Sequence, residues 1–271
     1  MIQMQLTVLT DNNTFIDRYY YGEPGLCYYI ENGDARILFD TGYSDVAAKN
    51  ARLMNIDLSK ITHLVFSHGH NDHTRGLRYL ASELNLPQMK LIAHPEAFVP
   101  KFYDGTSIGM PEDVAELAKK CQMQLTTQPY KLTDKLFFLG QIPRVHAFEQ
   151  RSIGVTGSVE SMAADKVLDD SALVYDGEQG LFIITGCSHS GICNIISYAR
   201  KVCGNKPVAG LIGGMHLFKQ DAELTATVDF LASQKMHDVY PAHCVSLKAK
   251  VALANSLPVH EVGVGLKITI K

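Results

Sequence analysis

The chain has 271 residues, of which 46% are hydrophobic and 20% charged, a balance typical of a globular protein with an ample core. Its formal net charge of −3 disfavours a nucleic-acid partner, because that function favours a basic surface. No apolar run is long enough to span a membrane, and no secretory signal begins at residues 1–6. Six cysteines without such a signal indicate reduced thiols and a cytoplasmic location. The oligomeric state does not follow from these properties.

The first 70 residues predict the beginning of an α/β fold. Apolar runs predict four strands, over residues 6–9, 26–30, 35–39 and 61–66. Asn32-Gly33 joins the second strand to the third and is a strong hairpin signal. Asp40 then opens a turn, and a helix is expected over residues 44–54.

The fourth predicted strand runs directly into four residues of ligand type: His68, His70, Asp72 and His73. A helical pattern follows them, so the cluster lies at the carboxyl end of a strand, where open α/β folds bind ligands. Alternate residues of an extended segment point to one side, so His68 and His70 can bind the same metal ion. Asp72 and His73 follow the turn and are expected to face a second ion. The spacing H-x-H-x-D-H disfavours the alternative, a solvated His-rich turn.

The middle of the chain is less regular. Residues 90–93 predict a short strand that ends at His94. A helix is expected from Pro111 to about Cys121, because proline and the acids after it suit a first helical turn. We interpret residues 101–133 as an insertion that lies over the site or caps it.

The second half predicts strands over residues 136–139, 173–175, 181–185, 208–212 and 239–240. Helices are expected over residues 192–202 and 222–234. The two halves have the same order of hairpin, polar turn, helix, and strands that end in histidine. This repeat predicts a four-layer αββα sandwich in which two mixed sheets face each other and the histidines lie at one edge. A histidine-rich barrel is the alternative fold, but its H-x-H should end the first strand, whereas hairpins come first here.

The motif H-x-H-x-D-H resembles the signature of the metallo-β-lactamase superfamily, and the turn at Asp40 resembles its upstream aspartate turn. Four further stretches resemble one branch, the dihydropterin-methyl-ribofuranosyl-aminobenzene-phosphate synthase-like proteins: residues 140–144, 186–191, 213–217 and 240–244. The resemblance covers most of the chain and implies one domain over residues 1–271.

The resemblance implies two ligand sets, in which His189 joins His68 and His70, and His243 joins Asp72 and His73. Cys187 stands where many members of the superfamily carry an aspartate that bridges two metals. Its thiolate can bridge or bind one ion, and an inert small residue is the alternative. Asp40 is expected to orient a ligand histidine rather than to bind metal.

Four other residues are candidates outside these sets. His216 follows two glycines and can donate to an oxyanion or protonate a leaving group, the alternative being a structural histidine. His94 resembles it. Arg144 can bind a phosphate or carboxylate as a bidentate fork, or be an ordinary surface arginine. Asp170 can cap a turn or line the site.

These residues predict a metal-dependent hydrolase of a small molecule. One or two ions, with zinc expected and iron or manganese as alternatives, would lower the pKa of bound water and make a metal-bound hydroxide available. Asp72 would hold both an ion and the nucleophile. Phosphoesters, lactones and thioesters remain open as substrates. The resemblance implies one alternative, a synthase acting on a phosphoribosyl donor and an aromatic acid. A non-catalytic protein that senses or stores metal is the other, and it requires a closed coordination shell.

Overall fold

A computed structural model describes residues 3–158 and 161–271 of the chain. Within these residues the strands are β1 (Met4–Thr10), β2 (Cys27–Asn32), β3 (Ala35–Phe39), β4 (His63–Val65), β5 (Lys90–Ala93), β6 (Lys101–Tyr103), β7 (Thr106–Ser107), β8 (Gln122–Leu125), β9 (Tyr130–Lys131), β10 (Leu136–Phe138), β11 (Val155–Ser158), β12 (Ser161–Ala164), β13 (Ala172–Gly177), β14 (Gly180–Thr185), β15 (Val208–Gly213), β16 (Asp238–Pro241) and β17 (Lys267–Ile270). The α-helices are α1 (Val46–Leu53), α2 (Asn71–Thr74), α3 (Leu77–Leu80), α4 (Glu112–Ala118), α5 (Ile192–Val202), α6 (Ala222–Ser233) and α7 (Leu247–Ala254). No helix in the described part of the chain is long and apolar enough to cross a membrane.

Two mixed sheets share one topological plan. The first sheet has the order β17-β1-β2-β3-β4-β5-β8, and the second has the order β16-β15-β14-β13-β10-β9. In each, an antiparallel hairpin (β2–β3 or β13–β14) leads into two further parallel strands (β4–β5 or β15–β16). The repeat of plan predicted between the two halves is therefore present. Because parallel strands end at the same edge, the turns after β3, β4, β14, β15 and β16 lie close together.

Three hydrophobic clusters define four layers. The central cluster contains inward-facing residues of both sheets, such as Phe39 and Ile184. A second cluster packs the outer face of the first sheet against α1, α3 and α4. A third packs the outer face of the second sheet against α5, α6 and α7. The order helix, sheet, sheet, helix confirms the predicted αββα sandwich.

A third, four-stranded sheet has the order β12-β11-β6-β7 and was not predicted. Its strands come from two separate segments, and β11 pairs with β6 in antiparallel register. Exposed and half-buried residues dominate these strands, so their sequence lacks the strong apolar pattern of the core strands.

The structure divides residues 101–133, for which an insertion or cap was expected. Strands β6 and β7 belong to the third sheet, β8 extends the first sheet, and β9 joins the second. Directly after β7, the carbonyl of Ile108 accepts a hydrogen bond from Asn71 N at 2.8 Å. The beginning of this stretch therefore contacts the H-x-H-x-D-H loop, and a capping role remains a prediction for that part.

Candidate metal centre

The loop after β4 places His68 and His70 side by side. The single hydroxyl proton of Ser67 is donated to Asp40 Oδ2 at 2.7 Å, because a carboxylate only accepts. The Ser67 oxygen, 2.9 Å from His68 Nδ1, then accepts a hydrogen bond from that N–H. His68 Nε2 is left unprotonated and faces His70 Nδ1 at 3.0 Å. Two nitrogens at this separation can share one cation, with bonds of about 2.0–2.1 Å in the case of zinc.

His73 is oriented by the same carboxylate. Its Nδ1 donates to Asp40 Oδ2 at 2.7 Å, which directs the other ring nitrogen toward the site. His73 Nε2 lies 3.2 Å from Cys187 Sγ and 3.5 Å from Asp72 Oδ2. Asp40 thus contacts the ring nitrogen of His73 that faces away from Cys187 and Asp72, and its orienting role stays a prediction.

His243 follows β16 and faces the same carboxylate from the second sheet. Its Nε2 lies 3.2 Å from Asp72 Oδ2, and its Nδ1 lies 2.9 Å from Asn12 Oδ1. Asp11 Oδ2 accepts a hydrogen bond from His243 N at 2.8 Å. The loop after β1 therefore fixes both the backbone and the ring of His243. The Nε2 atom of His243 faces Asp72 and the other candidate metal ligands.

His189 closes the cluster from the turn after β14. Its ring centroid lies 4.8 Å from those of both His68 and His70, and 4.6 Å from that of His216. Both ring nitrogens of His189, like His70 Nε2, are buried without a hydrogen-bond partner among the described residues. Buried polar atoms without partners are costly, and a bound cation would satisfy one nitrogen of the His189 ring. The residues therefore fit a metal ion.

Cys187 is common to two sets of ligand atoms that each lie within 4.8 Å of one another. The sets are Asp72, His73, Cys187 and His243, and His68, Cys187 and His189. Imidazole, carboxylate and thiolate are ligands of zinc and other transition metals. The sulfur of Cys187 thus belongs to both sets, and a role in binding metal stays a prediction. Burial raises the pKa of the Cys187 thiol well above its usual range.

The electrostatics of the cluster keep several imidazoles neutral, which is the metal-binding form. Burial and neighbouring histidines lower the pKa of His68 and of His189 well below the usual value. Burial opposes ionisation of Asp72, but His73 and His243 hold its pKa well below the usual range. Burial also opposes charge on His73, but Asp72 and Asp40 raise its pKa well above normal. Asp72 and His73, both members of the second set, are therefore the oppositely charged pair of the cluster.

Backbone strain coincides with the site. Four residues that follow strands have left-handed φ angles: Asp40 (61°), Ser188 (60°), His216 (50°) and His243 (50°). Non-glycine residues rarely adopt this conformation, and such strain persists where surrounding contacts over-determine it. It turns the chain sharply at each strand end and aims these side chains toward one place.

His216 lies beside the cluster, on the turn after β15. Its ring contacts those of His189 and Phe218, with centroids 4.6 and 4.7 Å away. Arg151 Nη1 donates a hydrogen bond to the carbonyl of His216 at 2.9 Å. The backbone N–H of His216 donates to Cys244 Sγ at 3.3 Å. Burial, with Arg151 nearby, lowers the pKa of His216 to about 4. This lowered pKa favours the neutral imidazole, which fits the first predicted role, donation to an oxyanion, and the catalytic role of His216 stays a prediction.

Asp170 supports the turn that carries His189. Its Oδ2 accepts hydrogen bonds from Ser190 N at 2.9 Å and from Ser190 Oγ. Its Oδ1 is buried without a partner among the residues described. Burial raises the pKa of Asp170 to about 6. Of the two predicted roles, the observed contacts correspond to capping the turn.

His94 and Arg144 lie outside both ligand sets. His94 is buried at the end of β5, where Nδ1 accepts from Glu96 N at 3.1 Å and Nε2 lies 3.4 Å from Gln141 Oε1. Arg144 is half-buried and donates to the carbonyls of Arg151, at 2.9 Å, and Lys166. Neither residue touches the histidine cluster.

Sequence reasoning missed a buried ionic network behind the metal loop. Lys101 Nζ lies 2.8 Å from Asp169 Oδ1 and 3.1 Å from Asp165 Oδ2, and all three side chains are buried. Asp169 Oδ2 accepts a hydrogen bond from Gly69 N at 2.7 Å. The signal available was Asp169-Asp170 just before a buried strand, but the sequence did not identify Lys101 as its partner.

Two glycines of the motifs allow close approach of backbone segments. A Cβ on Gly69 would lie 2.1 Å from Ala97 O, so the first histidine pair needs glycine between its members. A Cβ on Gly214 would lie 2.4 Å from Gly186 O and 2.5 Å from Cys244 Sγ. The space beside Gly214 is therefore filled by the protein itself.

Comparison with known proteins places these features in context. The model of the metallo-beta-lactamase superfamily matches residues 20–200. An uncharacterized protein of Methanocaldococcus jannaschii is 33% identical over 252 residues, which cover 92% of this chain and 93% of that protein. The 7,8-dihydropterin-6-methyl-4-(beta-D-ribofuranosyl)-aminobenzene-5'-phosphate synthase of the same organism is 30% identical over 249 residues, covering 85% and 84%.

Solved structures show the same fold. Tm1679, a metal-dependent hydrolase of the beta-lactamase superfamily, has a TM-score of 0.83 and 27% identity, covering 98% of both chains. A diphosphatase from the PhnP family has a TM-score of 0.59 and 14% identity, covering 99% of this chain and 98% of that one. At 14% identity, the similarity to the diphosphatase concerns the fold alone.

Proposed function

We propose a metal-dependent hydrolase function for this chain, which belongs to the metallo-beta-lactamase superfamily. The observation that carries the proposal is His189, whose two ring nitrogens are buried without partners among the described residues while its ring packs against His68 and His70. Similarity to a metal-dependent hydrolase over 98% of both chains supports the same activity.

In this proposal each ligand set holds one ion. His68 and His189 form the first site together with His70, whose ring packs against both, and Asp72, His73 and His243 form the second. Cys187 belongs to both sets of closely spaced ligand atoms, whereas His70 is in neither. When bound, the ions supply Lewis acidity toward a substrate oxygen and lower the pKa of water. Zinc is the expected metal, with iron and manganese as the alternatives, because all three accept this mixture of ligands.

Asp72 and His216 are the proposed catalytic residues. Asp72 stays ionised beside His73 and His243, and its side chain is 30% exposed, so it can orient a water by accepting its hydrogen bond. His216 is neutral and can donate one N–H to a substrate oxygen as negative charge develops there. The ring of His216 lies against that of His189, so its N–H would be donated next to the first ligand set.

The substrate is proposed to be a small molecule with a phosphoester, lactone or thioester bond. A solvent-accessible groove of about 230 Å³ is lined by His216, Arg151 and Phe218. An open groove next to the ligands favours catalysis over storage or sensing, since a closed coordination shell would need no such access.

A synthase is the second candidate, and one observation favours it: the 30% identity to the named synthase over 85% of this chain. In that reaction class the same ions would hold a phosphoribosyl donor while an aromatic acid attacks it. The hydrolase proposal is preferred because an activated water needs no second organic substrate.

The experiment that tests the proposal combines metal analysis with a substrate screen. The purified chain is analysed for metal and assayed on phosphodiester, lactone and thioester substrates, with an exposed-site variant, Asp229→Ala, as a control. The expected result is up to two ions per chain and turnover of one class that chelation abolishes. Metal-bound protein without turnover of any class, but with condensation of a phosphoribosyl donor and an aromatic acid, would favour the synthase instead.

A further inference from the structure

A basic cavity of about 490 Å³ lies beside the candidate metal centre. Arg144, Arg151 and Lys166 supply three cations to its walls, and Gln141, Gln150 and Ser152 add polar groups. No carboxylate is among the residues that line it. The volume falls within the range of about 300–1,000 Å³ typical of small-molecule sites.

The positive charge of this cavity is largely uncompensated. Among the described residues, no carboxylate oxygen lies within 4.0 Å of a side-chain nitrogen of Arg144 or Lys166. Three acids act electrostatically on Arg144: Asp170, Asp165 and Glu149. Asp170 Oδ2 accepts from Ser190, and the other two acids also have other partners. Asp165 binds Lys101, and Glu149 accepts hydrogen bonds from the N–H groups of the first turn of α5.

The two guanidinium groups are held in place before any ligand binds. Arg144 donates to the carbonyls of Arg151 and Lys166, which leaves further N–H groups of its five available. Arg151 donates to the carbonyl of His216 and to Glu223, and its Nε–H is buried without a partner among the described residues. Fixed forks of this kind lose little entropy when they bind an oxyanion.

The cavity adjoins the groove at His216, beside the metal centre. Arg151 lines both this cavity and the neighbouring groove that His216 lines. The ring of His216 is in turn 4.6 Å from that of His189. From the other side, Gln141 lines the cavity and lies 3.4 Å from His94. Arg151 and His216 therefore lie between the basic cavity and the histidine cluster, which places the cavity within reach of a substrate that contacts His216.

We propose that this cavity binds a phosphate group of the substrate that is not itself the group cleaved. The proposal rests on the hydrolase function above and restricts its substrate to a phosphorylated small molecule. Phosphate fits better than a single carboxylate because it carries up to two negative charges and several acceptor oxygens for three cations. Lys166 is exposed and supplies a point charge at the rim, while the two arginines supply directed donors.

Binding of inorganic phosphate to the metal-loaded chain tests the proposal by calorimetry without requiring turnover. Lys166→Glu reverses the charge of an exposed side chain and is expected to weaken phosphate binding about tenfold. Lys166→Gln should weaken it by a smaller factor of about three. Lys120→Glu makes the same charge change at an exposed residue that does not line the cavity, and it should leave binding unchanged.

Four results would overturn the assignment. They are no phosphate binding by the unsubstituted chain, unchanged binding in both Lys166 variants, equal weakening in Lys120→Glu, and binding of acetate as tight as that of phosphate. Unchanged binding in the Lys166 variants would place the phosphate elsewhere, for example on the metals. Loss of hydrolysis in the substrate screen would not affect these outcomes, so failure of the hydrolase proposal and failure of the phosphate site can be told apart.

Discussion

The carboxylate of Asp169 accepts a hydrogen bond from the backbone N–H of Gly69 at 2.7 Å, although the two residues are 100 positions apart. Its other oxygen contacts the buried Lys101 Nζ at 2.8 Å. Lys101 belongs to β6, so the third sheet is tied through one carboxylate to the loop between His68 and His70. The backbone of Gly69, between His68 and His70, is thus fixed by a buried ion pair that lies outside the metal centre.

The buried lysine gives the first prediction. Lys101→Met should lower the free energy of unfolding by about 3–5 kcal/mol, because it leaves the carboxylates of Asp165 and Asp169 buried without their cation. Chemical denaturation measures this loss. Lys49→Met is the matched control, since its salt bridge to Asp45 is exposed and should cost less than about 1 kcal/mol. Equal losses in the two variants would contradict the role given to Lys101.

A second prediction concerns the metal content of the second ligand set. Asp72→Ala removes the carboxylate that lies within 3.5 Å of both His73 and His243, so it should empty or weaken that position. Elemental analysis of the purified variant should show about one ion fewer than the parent chain at saturation. Full occupancy in this variant would refute the division into two sites.

The orienting carboxylate can be tested separately from the ligands. Asp40→Asn keeps a residue type that tolerates the left-handed φ of 61° but removes the charge that accepts from His73 Nδ1 and Ser67. Metal affinity is expected to fall about 10- to 100-fold, the range typical for loss of such a partner. Competition with a chelator measures this affinity, and an unchanged value would show that His73 is oriented without Asp40.

The fourth prediction separates catalysis from metal binding. His216→Ala should lower kcat and kcat/KM together by about a hundredfold, because a donor to the developing charge is lost. Metal content should be unchanged, since His216 lies outside both ligand sets. Steady-state kinetics and elemental analysis on the same preparation provide both values. Loss of metal would make His216 a ligand, and full activity would make it structural.

A fifth prediction concerns the pH dependence of the reaction at His216. Burial lowers its pKa to about 4, so its proposed role is donation from a neutral ring. We therefore expect kcat/KM of the parent chain to show no step near pH 6.5 that His216→Ala removes. Observation of such a step would favour a protonated His216.

Much of the fold was predictable because its signals are local. The apolar runs and the Asn32-Gly33 turn predicted the core strands, and α5 was predicted with its observed bounds. Burial of one face imposes a periodic pattern on a segment, and that pattern is visible without knowledge of the partner. The third sheet left no such pattern, since β6, β7, β11 and β12 bury few side chains.

The site shows the same division. The H-x-H-x-D-H cluster was predictable from the chain alone because its side chains share one turn, and the repeat of plan predicted that His189 and His243 lie at the same edge. Three other relationships became visible in the folded molecule: Cys187 belongs to both sets of ligand atoms, Asn12 contacts the ring of His243, and Lys101 reaches Asp169. Hydrogen bonds and ion pairs depend on distances of a few ångströms between segments far apart in the chain. No spacing along the sequence records those distances, so they exist only once the two sheets have packed together.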